Sequence, residues 1–263
     1  MLKFNNSSVS MRIAVSANNW VRHSDFGVWL RECELLGFQF VELTDSVINE
    51  KNLEAFKGAR IKPISIHLNR TRGFNLDSYD EAAEFEKYVD KHVEIANALG
   101  IKSVSISMPS FSSNRRRAES NLKISLLKPR AVRVVLETHA DPESRILENA
   151  SEFQGFIDST KSPLGIQVET SYLCSQGVSV EKFMEKYQRN VRSFHASDYV
   201  AKLGKGGFII GVGDVKWERL LAAIKGLEKA NKSELPFIID LDRNYTHHEA
   251  YISKSVLERM EAG

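Results

Sequence analysis

The stretch that decides the fold begins at Lys62-Pro63-Ile64-Ser65-Ile66-His67, passes through the long segment Tyr79 to Leu99, and ends at Ser103-Val104-Ser105-Ile106-Ser107. In its middle, Phe85, Tyr88, Val89, His92, Ile95, Ala96 and Leu99 recur at three- and four-residue spacing, which puts them on one stripe of an amphipathic helix. Gly100 follows as a residue that takes the left-handed conformation closing a helix. The flanking β-branched runs read as strands, so the stretch is one βαβ unit of a parallel sheet.

The same alternation recurs along the chain. Strands are expected at Arg12 to Ser16, Phe38 to Leu43, Lys62 to His67, Ser103 to Ser107, Val132 to Glu137, Gly165 to Glu169, Val191 to His195 and Phe237 to Leu241. Gly37 and Gly58 close the first two helices, Asp77 or Ser78 caps the third, and Ser179 starts Val180 to Arg189. Arg115 to Leu127 reads as a helix whose leading Arg115, Arg116 and Arg117 oppose the helix dipole, as a solvated face or an anion site. Eight βα units in 263 residues match the roughly 250 of an eight-fold barrel. The fold expected is α/β, a single-domain (β/α)8 TIM barrel over residues 11–263, preceded by a tail at 1–10. No Pro- or Ser-rich linker divides it, and only Ser110 to Asn114 looks low in complexity.

Thirty-six basic and 34 acidic residues leave a net charge of +2, too small a field for a dedicated nucleic-acid binder. Cys33 and Cys174 alone in such a chain read as reduced thiols. The first ten residues carry no apolar core of a signal sequence, and no stretch approaches the roughly 18 apolar residues of a membrane span. A cytoplasmic protein without membrane or nucleic-acid partners is expected, its oligomeric state open, homo-oligomers included.

In a parallel barrel the chemistry sits at the C-terminal ends of the strands, where loops surround a cavity. His67, Glu137, Glu169, His195 and Asp240 stand at those ends. Acids converging on one mouth repel each other and are costly to bury unless a cation lies between them. Oxygen ligands with one nitrogen suit Mn²⁺, Mg²⁺ or Co²⁺, with Zn²⁺ also allowed.

Val132 to Asp141, with its Glu-x-His, Phe194 to Asp198, with its His-x-x-Asp, and Ile210-Gly211-Val212-Gly213-Asp214-Val215-Lys216-Trp217 together resemble the xylose isomerase-like TIM barrels. That superfamily holds sugar isomerases, ketose 3-epimerases, inosose dehydratases and endonuclease IV. The resemblance spans Met11 to about Met260 and implies one divalent ion held by Glu137, Glu169, His195 and Asp240. Two positions depart from the pattern: Glu169 stands where Asp is usual, and Asp240 where Glu is usual.

The activity so implied is a metal-dependent isomerase or epimerase of a sugar or sugar phosphate. A proton moves at the carbon beside a carbonyl, through an enediolate, with Glu137 and Asp240 as the proton-transfer pair. His67 and His139 are candidates to orient sugar hydroxyls, or else bond local backbone. Trp20 is a candidate wall under a sugar ring, or core. Asp198 and Lys202 are candidate substrate contacts, Lys202 opening a glycine-rich stretch to Gly207 that reads as a phosphate loop or a lid. Competing readings are an inosose-type dehydratase, a non-catalytic sugar-binding barrel and, least supported, an endonuclease IV-like nuclease, since Ser107 and Tyr172 stand where extra histidines are needed.

Overall fold

A computed structural model describes residues 11–20, 25–139, 147, 149–160, 164–231, 233–242 and 244–262, and among them form ten strands, eight of which lie on the apolar and β-branched runs. They are β1 (Ile13–Ser16), β2 (Phe40–Thr44), β3 (Lys62–Leu68), β4 (Ser103–Ile106), β5 (Arg133–Glu137), β6 (Gly165–Glu169), β7 (Val191–Ala196), β8 (Asp198–Val200), β9 (Lys205–Phe208) and β10 (Phe237–Ile239). β1 to β7 and β10 pair in parallel and close on themselves, β10 lying between β7 and β1. The expected eight-stranded barrel is therefore present. The expected tail at residues 1–10 lies outside the described residues.

Helices cover the outside: α1 (Phe26–Leu35), α2 (Glu50–Glu54), α3 (Tyr79–Ala98), α4 (Arg115–Leu127), α5 (Ala150–Asp158), α6 (Thr170–Ser175), α7 (Val180–Lys186), α8 (Trp217–Asn231) and α9 (His247–Ala262). The stripe read on α3 is the face that packs, with Phe85, Val89, His92, Val93 and Ala96 buried. Gly37 takes φ +77° after α1, and the next amide, Phe38 N, returns to Cys33 O at 3.0 Å. That bond ends the helix, and β2 begins two residues later than the sequence suggested.

Successive residues of each strand face opposite sides of the barrel wall. Ile166 and Val168 of β6 join the large core between strands and helices, as do Phe194 and Ala196 of β7. Inside the barrel, a small apolar cluster of Ala14, Ile64 and Ile238, with Phe40 against it, plugs the N-terminal end. Above this plug the lumen turns polar: Glu42, Ser65, His67, Ser105, Gln167, Ser193 and His195 are all buried.

The structure decides three local readings. Ser78 caps α3 through Glu81 N, whereas Asp77 accepts from Ser112 N, Ser113 N and Asn114 N and so ties down the loop before α4. Those amide donors hold the Asp77 carboxyl well below its ordinary range, against the opposing effect of burial. Arg115 is spent on Glu119 and Glu152, each at 2.8 Å, so protein acids take its charge. The stretch from Lys202 to Gly207 is no open loop: it forms the turn and second arm of an antiparallel β8–β9 hairpin. No helix among the described residues is long and apolar enough to cross a membrane, and both cysteines are free.

Candidate metal and active site

His195 is the centre of the polar lumen. It lies on β7 between Glu169 of β6 and Ile238 of β10 in register, and it is fully buried. Its two ring nitrogens meet different surroundings. Nε2 points inward to Glu42 Oε2 at 2.6 Å. Nδ1 points toward the C-terminal mouth, where Glu137 Oε1 lies at 2.8 Å, Asp240 Oδ2 at 3.6 Å and Glu169 Oε2 at 3.7 Å. Of the five residues read at strand ends, Glu137, Glu169 and Asp240 are thus gathered around one nitrogen of a fourth, His195.

Each acid reaches that point with its other oxygen held. Glu169 Oε1 accepts from Ser171 N, Ser171 Oγ and Ser197 Oγ. Asp240 Oδ1 accepts from Asn18 Nδ2 at 3.0 Å, and Asn69 Nδ2 donates to the Asn18 oxygen. Glu137 Oε2 accepts from Ser107 Oγ at 3.2 Å, with Arg72 Nη2 3.8 Å away. Even with Glu169 and Asp240 in each other's usual places by length, both still put one oxygen within 4 Å of His195 Nδ1.

The electrostatics show a shortage of positive charge. Burial alone would lower the His195 pKa, but the Glu42 and Asp240 carboxylates and the bonds to Glu137 and Glu42 raise it well above the ordinary imidazole value. Burial works to raise Glu137 too; His67 and His195 overcome it and hold the carboxyl well below its usual range. Glu169 is left over. Burial, with Glu137 and Asp240 close by, pushes it up to about 8 although His195 pulls the other way. One imidazolium satisfies some of these acids, and the last keeps its proton.

Glu137, Glu169 and His195 each offer a ligand atom, all within 4.8 Å of one another. Three carboxylates and an imidazole suit a divalent cation, which would relieve the repulsion that keeps Glu169 protonated.

A cavity of about 320 Å³ opens over the cluster, with Glu137, Glu169 and Asp240 on its floor and Arg72, His139, Tyr172, Tyr199, Gly206 and Asp242 around it. The His139 and Tyr172 rings lie 5.2 Å apart. The β8–β9 hairpin forms part of the wall, and its glycines are required there: a Cβ on Gly206 would sit 2.6 Å from Ser171 Oγ, and one on Gly207 3.1 Å from the Asp242 backbone.

The sequence profile of the xylose isomerase-like TIM barrels matches residues 30–231. The chain is a xylose isomerase-like TIM barrel. Solved barrels agree in fold. The IOLI protein with a bound zinc atom is 14% identical at a TM-score of 0.72, over 96% of this chain and 98% of that one. A xylose isomerase-like TIM barrel protein from Mycobacterium smegmatis, in complex with magnesium, is 12% identical at 0.70 over 97% and 98%. D-allulose 3-epimerase from Methylomonas sp., in complex with D-allulose, is 12% identical at 0.70 over 96% of each chain. No curated protein matches by sequence.

Within this xylose isomerase-like barrel the remaining expected contacts fall in different places. His139 lines the cavity, half-buried. His67 does not: it is buried with Nδ1 against Ser105 Oγ at 2.9 Å and Nε2 against Ser107 Oγ at 3.0 Å. Both nitrogens are spent on protein hydroxyls, and its ring packs 4.9 Å from that of His195. Asp198 is also corrected. Its carboxylate accepts from the amides of Tyr199, Gly211, Gly213 and Val215 and from Trp217 Nε1, so it holds the loop before α8 and has no oxygen left for a substrate. Lys202 is exposed in the turn of the hairpin and is not part of the cavity wall. Trp20 ends a short 3-10 turn after β1, and its side chain lies outside the described residues.

Four residues at this centre were not singled out from the sequence: Glu42, Arg72, Asn18 and Ser171. Glu42 carried a readable signal, an acid inside the apolar run Phe40-Val41-Glu42-Leu43. Its charge inside a strand is as costly as a charge at the strand's end.

Proposed function

We propose that this barrel is a divalent-metal-dependent isomerase or epimerase of a sugar or sugar phosphate, acting by proton transfer through an enediolate. The observation that carries the reading is the convergence of Glu137, Glu169 and Asp240 on His195 Nδ1 beneath an open cavity. These four residues would hold one ion, Mn²⁺, Mg²⁺, Co²⁺ or Zn²⁺. When bound, it supplies positive charge beside the substrate's carbonyl and neighbouring hydroxyl oxygen.

The chain's own groups supply the rest. Glu137 and Asp240 are the proton-transfer pair, one removing the proton beside the carbonyl and the other returning it. Asn18 keeps Asp240 turned to the cavity, and Ser107 does the same for Glu137. Arg72 beside Glu137 offers charge to a substrate oxygen. The His139 and Tyr172 rings form a wall with polar edges against which a polyol can lie. The solved relatives' zinc, magnesium and D-allulose support the reading by analogy of fold.

The test is elemental analysis of the protein and of Glu137→Gln after incubation with each ion and desalting, followed by ketose and ketose-phosphate turnover assays. Near-stoichiometric metal in the wild type, reduced in the variant, and a ketose turned over only by the metal-loaded wild type are expected. A protein that takes up no ion refutes the proposal.

A further inference from the structure

The carboxylate nearest to His195 is outside the cavity. Glu42 is fully buried on β2, and it is absent from the cavity wall. Its Oε2 meets His195 Nε2 at 2.6 Å. Its Oε1 accepts from Ser65 Oγ at 2.8 Å and from Gln167 Nε2 at 3.2 Å. Ser65 is its register partner on β3, and Gln167 stands two residues before Glu169 on β6. The carboxylate is thus fixed from three sides by groups on three different strands, all of them buried. The His67 ring, locked by Ser105 and Ser107, packs against that of His195.

This arrangement decides which way His195 faces. An imidazole with a carboxylate at Nε2 keeps a proton on that nitrogen and leaves Nδ1 as the ligand atom, and Nδ1 is the atom that Glu137, Glu169 and Asp240 surround. The other tautomer would set a bare nitrogen lone pair against the Glu42 carboxylate and put the proton on Nδ1, toward the acids. We infer that Glu42 is a positioning residue, which sets the tautomer and ring angle of His195 and raises its strength as a ligand without touching substrate. The inference rests on the proposed metal site.

Its test is titration calorimetry with Mn²⁺ on the wild type, Glu42→Gln and Glu42→Ala, together with proton NMR of the imidazole N–H region. Glu42→Gln keeps an acceptor but loses the charge, and affinity should fall about tenfold; Glu42→Ala loses both, and the fall should approach a hundredfold. A slowly exchanging downfield imidazole proton should be present in the wild type and missing in Glu42→Ala. Melting curves without metal show whether the variants stay folded, and Ser65→Ala serves as a milder version that trims only the carboxylate's own support. Wild-type affinity in folded Glu42→Gln and Glu42→Ala would overturn this inference alone. A wild type that binds no Mn²⁺, Mg²⁺, Co²⁺ or Zn²⁺ overturns the metal site and this inference with it.

Discussion

The two sides of His195 are built on opposite principles. On the Nε2 side a single carboxylate, Glu42, is given two further donors, Ser65 and Gln167, and is sealed from solvent. The His195 charge, its bond and the Ser65 hydroxyl bring the Glu42 pKa below its ordinary value despite burial. On the Nδ1 side three carboxylates share one ring nitrogen, and Glu169 keeps its proton up to about 8. A carboxylate that has its donors is a structural part. Carboxylates crowded beyond their supply of donors, under an open cavity, are what the proposed function reads as a site for a cation and a substrate.

The comparison is broken most sharply on the crowded side. Glu137→Gln should lower turnover on any ketose that the wild type converts by about a thousandfold, the scale of a lost acid or base, while far-ultraviolet circular dichroism stays unchanged. A variant with full turnover would make Glu137 a structural acid like Glu42.

Asp198 belongs with Glu42, as a carboxylate supplied with all its donors. Asp198→Ala leaves four amides and the Trp217 indole without their acceptor, and a loss of about 3 kcal/mol in urea unfolding is expected. The remaining folded protein should keep whatever metal affinity the wild type has, because the Asp198 carboxylate faces the loop before α8 and not the His195 cluster.

Glu169 gives the comparison a pH axis. Its pKa is raised by burial first, and then by Glu137 and Asp240. The stability it contributes to the metal-free protein is fully present below its unfolded value, about 4.3, and is lost as pH rises through about 8. Metal uptake needs the bare carboxylate, so affinity should rise over the same range, with proton release measurable by calorimetry in buffers of different ionisation enthalpy. Glu169→Gln should flatten that part of both profiles. An affinity independent of pH between 5 and 8 would show that Glu169 is ionised already.

The smallest effect is expected from Gly206→Ala. The new methyl meets Ser171 Oγ at 2.6 Å, so Ser171 must move away from Glu169 or the hairpin must lift. A stability loss of about 1 to 2 kcal/mol is expected, with weaker metal binding than Ser171→Ala alone explains. Unchanged binding would show that Glu169 does not need Ser171 to hold its position.

Much of the barrel was legible because the period of apolar residues changes sharply between strand and helix, as at Ile66 and Phe85. The gathering of Glu137, Glu169, His195 and Asp240 was also legible, since they end neighbouring strands that surround one mouth of the closed barrel. Asp198 and His67 were misplaced because sequence gives a residue's position and not the direction of its side chain: Asp198 turns outward to the α8 loop, and His67 sits one layer below the cavity. Glu42 was missed because only strand ends were searched, while it lies inside β2 and away from the cavity wall. The β8–β9 hairpin was hidden by its short arms and by Gly204, Gly206 and Gly207, whose small size serves the close approach to Ser171 and Asp242 and gives no strand pattern.

The plug of Ala14, Ile64, Ile238 and Phe40 has a consequence for isotope traffic. Among the described residues it closes the lumen on the side away from the cavity, so hydrogen exchange with solvent would pass through the cavity. On the proposed reaction a bound sugar would cork that passage. A proton lifted from its carbon would then be kept in place until it is returned, and product formed in heavy water should carry less than one deuterium per turnover at that carbon.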